Sequence, residues 1–127
     1  MNEAGKIKFF TDLDTWKEAH KLVIAIYQFT KQFPKEELYS LTNQMRRATV
    51  SITSNIAEGF SRQSYAEKAQ FYLIAQGSNT ELQNQLIIAR DIGYLKESDF
   101  DKLIGQSVVA HKLLNGLIKK TKLIHNS

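Results

Sequence analysis

Residues 41–59 read Leu41-Thr-Asn-Gln-Met-Arg-Arg-Ala-Thr-Val-Ser-Ile-Thr-Ser-Asn-Ile-Ala-Glu-Gly59. Leu41, Met45, Ala48, Ile52 and Ile56 recur at spacings of three and four, which places them on one narrow stripe of a helix. One packed core accounts for that stripe. Beside it runs a polar ladder, Gln44, Arg47, Ser51, Asn55 and Glu58, again at three- and four-residue steps, with Arg46 on a different face. Such a ladder reads as a seam between helices or subunits whose side chains bond across it and fix register. The other reading is a contact line for a ligand or nucleic acid, in which Arg47 is the one strong phosphate binder. The seam is favoured.

The same periodicity extends outward in both directions, and nothing alternates as a strand would. One proline and six glycines supply the punctuation. Pro34 closes a first helix over about 12–32, with Asp12 as its cap. Gly59 stands as a left-handed residue after the second helix, about 41–58. Ser64-Tyr-Ala-Glu67 opens a third helix over about 65–92, which Gly93 ends. Ser98 caps a fourth over about 99–121. The expected fold is all-α, a single domain over 1–127 forming an antiparallel up-down-up-down four-helix bundle with short connections.

Three of the four helices carry more apolar surface than such a core uses. On the first, Leu13, Trp16, Ala19, Leu22, Val23, Ile24, Ile26, Tyr27, Phe29 and Phe33 spread over roughly 220° of the circumference, against a core stripe little wider than ~100–140°. The third has a main stripe of Phe71, Ile74, Ala75, Leu82, Leu86 and Ala89, and a second line through Leu73, Thr80 and Ile87. On the fourth, Val109 and Leu113 point away from Leu103, Ala110, Leu114 and Leu117. Leu22, Ile26, Phe29, Leu73, Ile87, Val109 and Leu113 are therefore the expected contacts of a homo-oligomer.

Composition removes most catalytic classes. There is no cysteine, so disulfides, thiolate zinc sites and cysteine nucleophiles are excluded. No Glu has a His three residues on, as a di-iron bundle requires, and no P-loop, G-x-G-x-x-G or G-x-S-x-G occurs. Gly77, alone in the third helix, reads as a point of close helix approach. His20 and His111 fall near the inner faces of neighbouring helices, but two histidines without carboxylates make a poor metal site. The expectation is a protein that is not an enzyme and takes no cofactor or metal. No run is long enough to span a membrane and Met1–Phe10 has no signal-peptide core, so the expected compartment is the cytoplasm.

Seventeen Lys and Arg against thirteen Asp and Glu leave a net charge of +4, a mild lean toward anionic partners. In an up-down bundle the N-terminus, the connection between the second and third helices and the C-terminus share one pole. Lys6, Lys8, Arg62, Lys119, Lys120 and Lys122 gather there, with Phe60, Tyr65 and His125 beside them. Cations interleaved with aromatics can follow a phosphate backbone and stack a base, so RNA or DNA is an expected partner. A protein–protein adaptor or scaffold ring is the alternative, and a small-molecule site between helices is a third.

Gln44–Gly59 resembles the 23S rRNA-intervening-sequence proteins, a family of four-helix bundle proteins. Its most specific part is Arg47-Ala48 followed by Asn55-Ile-Ala-Glu-Gly59. Asp12-Leu-Asp-Thr-Trp16-Lys-Glu-Ala19, Tyr27, Thr30-Lys-Gln-Phe-Pro34, Phe71-Tyr-Leu-Ile-Ala-Gln-Gly-Ser78 and Glu81-Leu82 resemble it as well, so the likeness runs along most of the chain. Thr53 departs from it where proline is common, and Gln76 where arginine is common. The resemblance implies a left-handed antiparallel bundle assembled as a homopentamer. It also implies kinship with the accessory variability proteins of diversity-generating retroelements, basic pentamers that bind nucleic acid and a reverse transcriptase.

A chain with this surplus of apolar faces sediments as an oligomer at micromolar concentration; a monomer in that measurement overturns the interface assignment.

Overall fold

The computed structural model describes residues 7–126. A 3-10 turn at Phe10–Asp12 leads into α1, Asp14–Thr30, and a second at Lys35–Glu37 precedes α2, Leu41–Ser61. Then come α3, Tyr65–Asp91, and α4, Glu97–Asn126. There is no strand among the described residues. Each helix packs on two others: α1 on α2 and α4, and α3 on α2 and α4. That cycle of four neighbours is the section of a bundle.

The helix ends follow local chemistry, in places differently from the sequence expectation. Ser64 does cap α3, its hydroxyl accepting from the Glu67 amide at 3.0 Å. Gly93 takes the left-handed conformation after α3, with φ of 87°. Asp12 does not cap α1. Its carboxylate accepts from the Lys8 and Phe9 amides, both at 3.0 Å, and so closes the preceding turn, leaving Leu13 at the cap position. Those two bonds hold the Asp12 carboxyl below the usual range. α4 begins at Glu97, so Ser98 sits inside the first turn rather than before it.

Gly59 is the clearest departure. It lies inside α2, which continues to Ser61, and does not adopt a positive φ. What the position demands is smallness. A Cβ there would stand 2.7 Å from Tyr72 Cε1 and 3.0 Å from Phe71 Cβ. Tyr72 is 2% exposed, and burial pushes its hydroxyl up to about 12. The close approach expected at Gly77 belongs here instead, since nothing lies within 4 Å of a Cβ added at Gly77.

The α2 stripe is buried as a unit: Leu41, Met45, Ala48, Ile52 and Ile56 all join the core. Leu22 and Ile26 join it too, each fully buried, which removes them from the expected oligomer face. A wide apolar arc still has a middle, and Ala19, Leu22 and Ile26 occupy it; the outward members on α1 are Ile24 and Tyr27. On α3 the main stripe loses Ile74, which is 52% exposed.

One buried polar cluster is paired across α3 and α4, while the buried Thr49 hydroxyl has no hydrogen-bond partner among the described residues. Asn79 Nδ2 donates to the Ser107 carbonyl at 3.0 Å, and Ser107 Oγ donates to Asn79 Oδ1 at 2.7 Å. Gln83 Nε2 donates to the same Ser107 hydroxyl at 2.9 Å. At one end of the bundle, Tyr94 donates to the Glu37 carboxylate at 2.8 Å, joining the connection after α1 to the one after α3.

Replacing Gly59 by Ala forces the Cβ into Tyr72 and should destabilise by about 1–3 kcal/mol, less the intrinsic helix gain of about 1. Gly77→Ala, on an exposed mid-helix site, should stabilise by up to about 1 kcal/mol. Thermal unfolding of the two variants is expected to shift in opposite directions.

The Tyr94 bond, more than any other contact, lowers the Glu37 carboxyl below its ordinary 4.5. A lowered folded-state value adds stability that is fully present above 4.5 and is lost as pH falls through the depressed value. Tyr94→Phe should therefore flatten the acid limb of stability against pH, measured by urea unfolding; an unchanged limb counts against the link.

Candidate nucleic-acid interface

Of the cations expected at the basic pole, Lys120 lines a cleft together with Phe60 and Tyr65. Ile7, Leu13, Phe60, Tyr65, Lys68, Tyr72, Leu117, Lys120, Thr121 and Ile124 line one shallow cleft. The N-terminal segment, the α2–α3 connection and the last turns of α4 meet there. Lys8, Lys119, Lys120 and Lys122 are exposed, as is Tyr65; of the four lysines Lys120 lines the cleft with Tyr65, and Lys119 and Lys122 lie on other faces of α4. Lys6 lies outside the described residues.

Arg62 is near this pole but already engaged. Its guanidinium pairs with Glu58 at 3.0 Å and lies 4.6 Å from the centre of the Phe71 ring. Lys68, which sequence reading passed over, is also committed. Its ammonium donates to the Phe60 carbonyl at 2.6 Å and to Gly59 at 3.4 Å, satisfying the orphan end of α2. Burial lowers its pKa. Only the fold brings residue 68 back onto carbonyls eight and nine positions earlier, so no local signal marked it.

The α2 ladder divides in two. Ser51 Oγ meets Ser78 Oγ of α3 at 2.8 Å, and Asn55 Nδ2 donates to the Ser51 carbonyl and hydroxyl at 2.8 and 3.1 Å. This half sits at the α2–α3 seam. Gln44 and Arg47 are exposed, and Glu58 serves Arg62. Arg47 instead lines an open groove between α1 and α2 with Tyr27, Asn43, Arg46, Val50, Ser51 and Ser54.

The model of the 23S rRNA-intervening sequence protein family matches residues 11–116. The chain belongs to that family. It is also similar to a crystal structure from Bacteroides thetaiotaomicron described as a protein of unknown function from the S23 ribosomal protein family. The TM-score is 0.76 and the identity 21%, over 83% of this chain and 95% of that one. At that identity the likeness shows the fold. No curated protein matches the chain in sequence.

The family's helical frame leaves several large apolar side chains outside the core of one chain. Leu73, Ile87 and Val109 are 40–46% exposed, and Ile74, Ile88 and Val108 are exposed as well. Phe29 and Leu113 are half-buried, Phe29 packing against the core. The two histidines expected near inner faces stay out of the core, His20 exposed and His111 half-buried, and each has its own neighbour. His20 stacks on Trp16 at 4.6 Å, and His111 Nε2 lies 3.2 Å from Asn115 Nδ2. Among the described residues, no group of three or more His, Cys, Asp or Glu is placed to hold a metal ion. No helix among them is long and apolar enough to cross a membrane.

Proposed function

We propose that this member of the family is a non-enzymatic, cytoplasmic homo-oligomer that binds RNA or DNA through its basic pole. The observation that carries the reading is the shared cleft, where Phe60 and Tyr65 sit beside Lys120 and a residue from Lys8. The working cations are Lys8, Lys119, Lys120 and Lys122, because Arg62 is spent on Glu58 and Phe71. Their ammonium groups would follow phosphates while Tyr65 offers a ring for stacking.

The pole requires helices that run alternately up and down. Pairings that rise along one helix as they fall along the next favour this: Ser51 with Ser78 and Gly59 with Tyr72, then Gln76 with Asn115 and Arg90 with Phe100. Assembly, taken as the pentamer the family resemblance implies, would repeat the pole around an axis and multiply a modest charge. The exposed apolar lines on α3 favour a second reading, a ring that serves as a platform for one protein partner.

Mobility shifts at about 50 mM salt should show binding to structured RNA or single-stranded DNA. Joint replacement of Lys119, Lys120 and Lys122 by Gln should lower the slope of log affinity against log salt by about 2 to 3. No shift with either nucleic acid overturns the reading, and a stoichiometric protein recovered after nuclease treatment supports the platform instead.

A further inference from the structure

A second concentration of cations lies far from the pole. Arg46 is fourteen residues before Phe60 on the same helix, about 21 Å along its axis. Two grooves meet at its side chain. One holds Tyr27, Asn43, Arg47 and Ser54; the other holds Lys31 and Lys35. Among the described residues, no carboxylate lines either groove.

Arg46 is held in place from α1. Its Nε donates to Thr30 Oγ1 at 3.0 Å, and its guanidinium lies 4.8 Å from the centre of the Tyr27 ring. Thr30 is itself fixed, 3% exposed and donating to the Ile26 carbonyl at 2.6 Å. One face and one nitrogen of the guanidinium are thus occupied, and the two terminal nitrogens keep their donors. Arg47 has no hydrogen-bond or ion-pair partner among the described residues, nor do the side chains of Asn43 and Ser54. An oriented guanidinium beside a second, uncompensated one is an arrangement that calls for an anion.

We propose that the α1–α2 groove at Arg46 and Arg47 is a binding site for a phosphate group. A planar carboxylate presents two oxygens in one plane. The two guanidiniums leave α2 from successive residues, about 100° apart around its axis, and so approach an anion in the groove from different sides, which suits a tetrahedral group with oxygens in several directions. Two guanidiniums also match the charge of a phosphate dianion. The phosphate can belong to a free monoester or to the diester backbone of a nucleic acid. The site does not depend on the basic pole or on what binds there.

The test is calorimetric titration of the full chain with inorganic phosphate, against acetate and chloride at matched ionic strength. Phosphate should bind more tightly than either, and Arg47→Gln should weaken it about tenfold with unchanged helicity, the loss of one charge-assisted donor. The Lys119, Lys120 and Lys122 triple variant should bind phosphate as the parent does, which keeps this outcome separate from the fate of the pole. Adenosine monophosphate and a dinucleotide monophosphate then separate the sources. Binding of either as tightly as inorganic phosphate supports the site, and the tighter of the two names the monoester or the diester. The proposal is overturned if phosphate binds no better than acetate or chloride, or if Arg47→Gln leaves its affinity unchanged. Binding of inorganic phosphate while both organic phosphates fail marks an adventitious ion only, and overturns it too.

Discussion

Two side chains with no exposure to water, Asn79 and Ser107, hold the register of α3 against α4. Between them they satisfy the Asn79 amide at both ends and occupy the Ser107 hydroxyl, with Gln83 adding a third bond. Leu82, Leu86, Leu103 and Leu114 would pack against one another almost as well after a shift by one turn, because dispersion has little direction. The amide and hydroxyl would not. A shifted α4 strands buried polar groups at about 1–3 kcal/mol each, a large share of what holds a small domain together. The register so chosen decides which residues of α4 reach the cleft, and therefore that Lys120 lines it together with Tyr65.

Much of this frame was legible beforehand because it depends on neighbours in sequence. The α2 stripe, the Ser64 cap and the left-handed Gly93 are local, and local chemistry suffices to read them. The misreadings concern choices made by distant partners. A wheel gives the width of the α1 arc but not its depth, so Leu22 and Ile26 were set outside when α2 and α4 close over them. Gly59 looked like a terminator because glycine so often is one; the Tyr72 ring that needs the space lies thirteen residues on. Asp12 had the right chemistry for a cap and used it on the turn before the helix.

The site shows the same division more sharply. A count of charges treats all cations alike, whereas the fold sorts them. Arg62 and Lys68 are consumed by structure, one on a carboxylate and a ring, the other on helix carbonyls. Arg90 likewise lies 4.3 Å from the centre of the Phe100 ring. Arg46 and Arg47 are adjacent in sequence yet differ in kind, since one is braced by Thr30 sixteen residues away and the other has no ion-pair partner among the described residues. A net charge of +4 contains none of that distinction.

The contact between Gly59 and Tyr72 also has a bearing on how this sequence can drift over generations. The ring fills the space a Cβ at position 59 would need, so position 59 is not free to change while the ring stands at 72. An alanine at 59 loses its worst clash once a smaller side chain stands at 72, and a large ring at 72 is acceptable only while 59 remains glycine. The two positions form one inherited unit, and a lineage crossing from one combination to the other must do so in the order that shrinks the ring first.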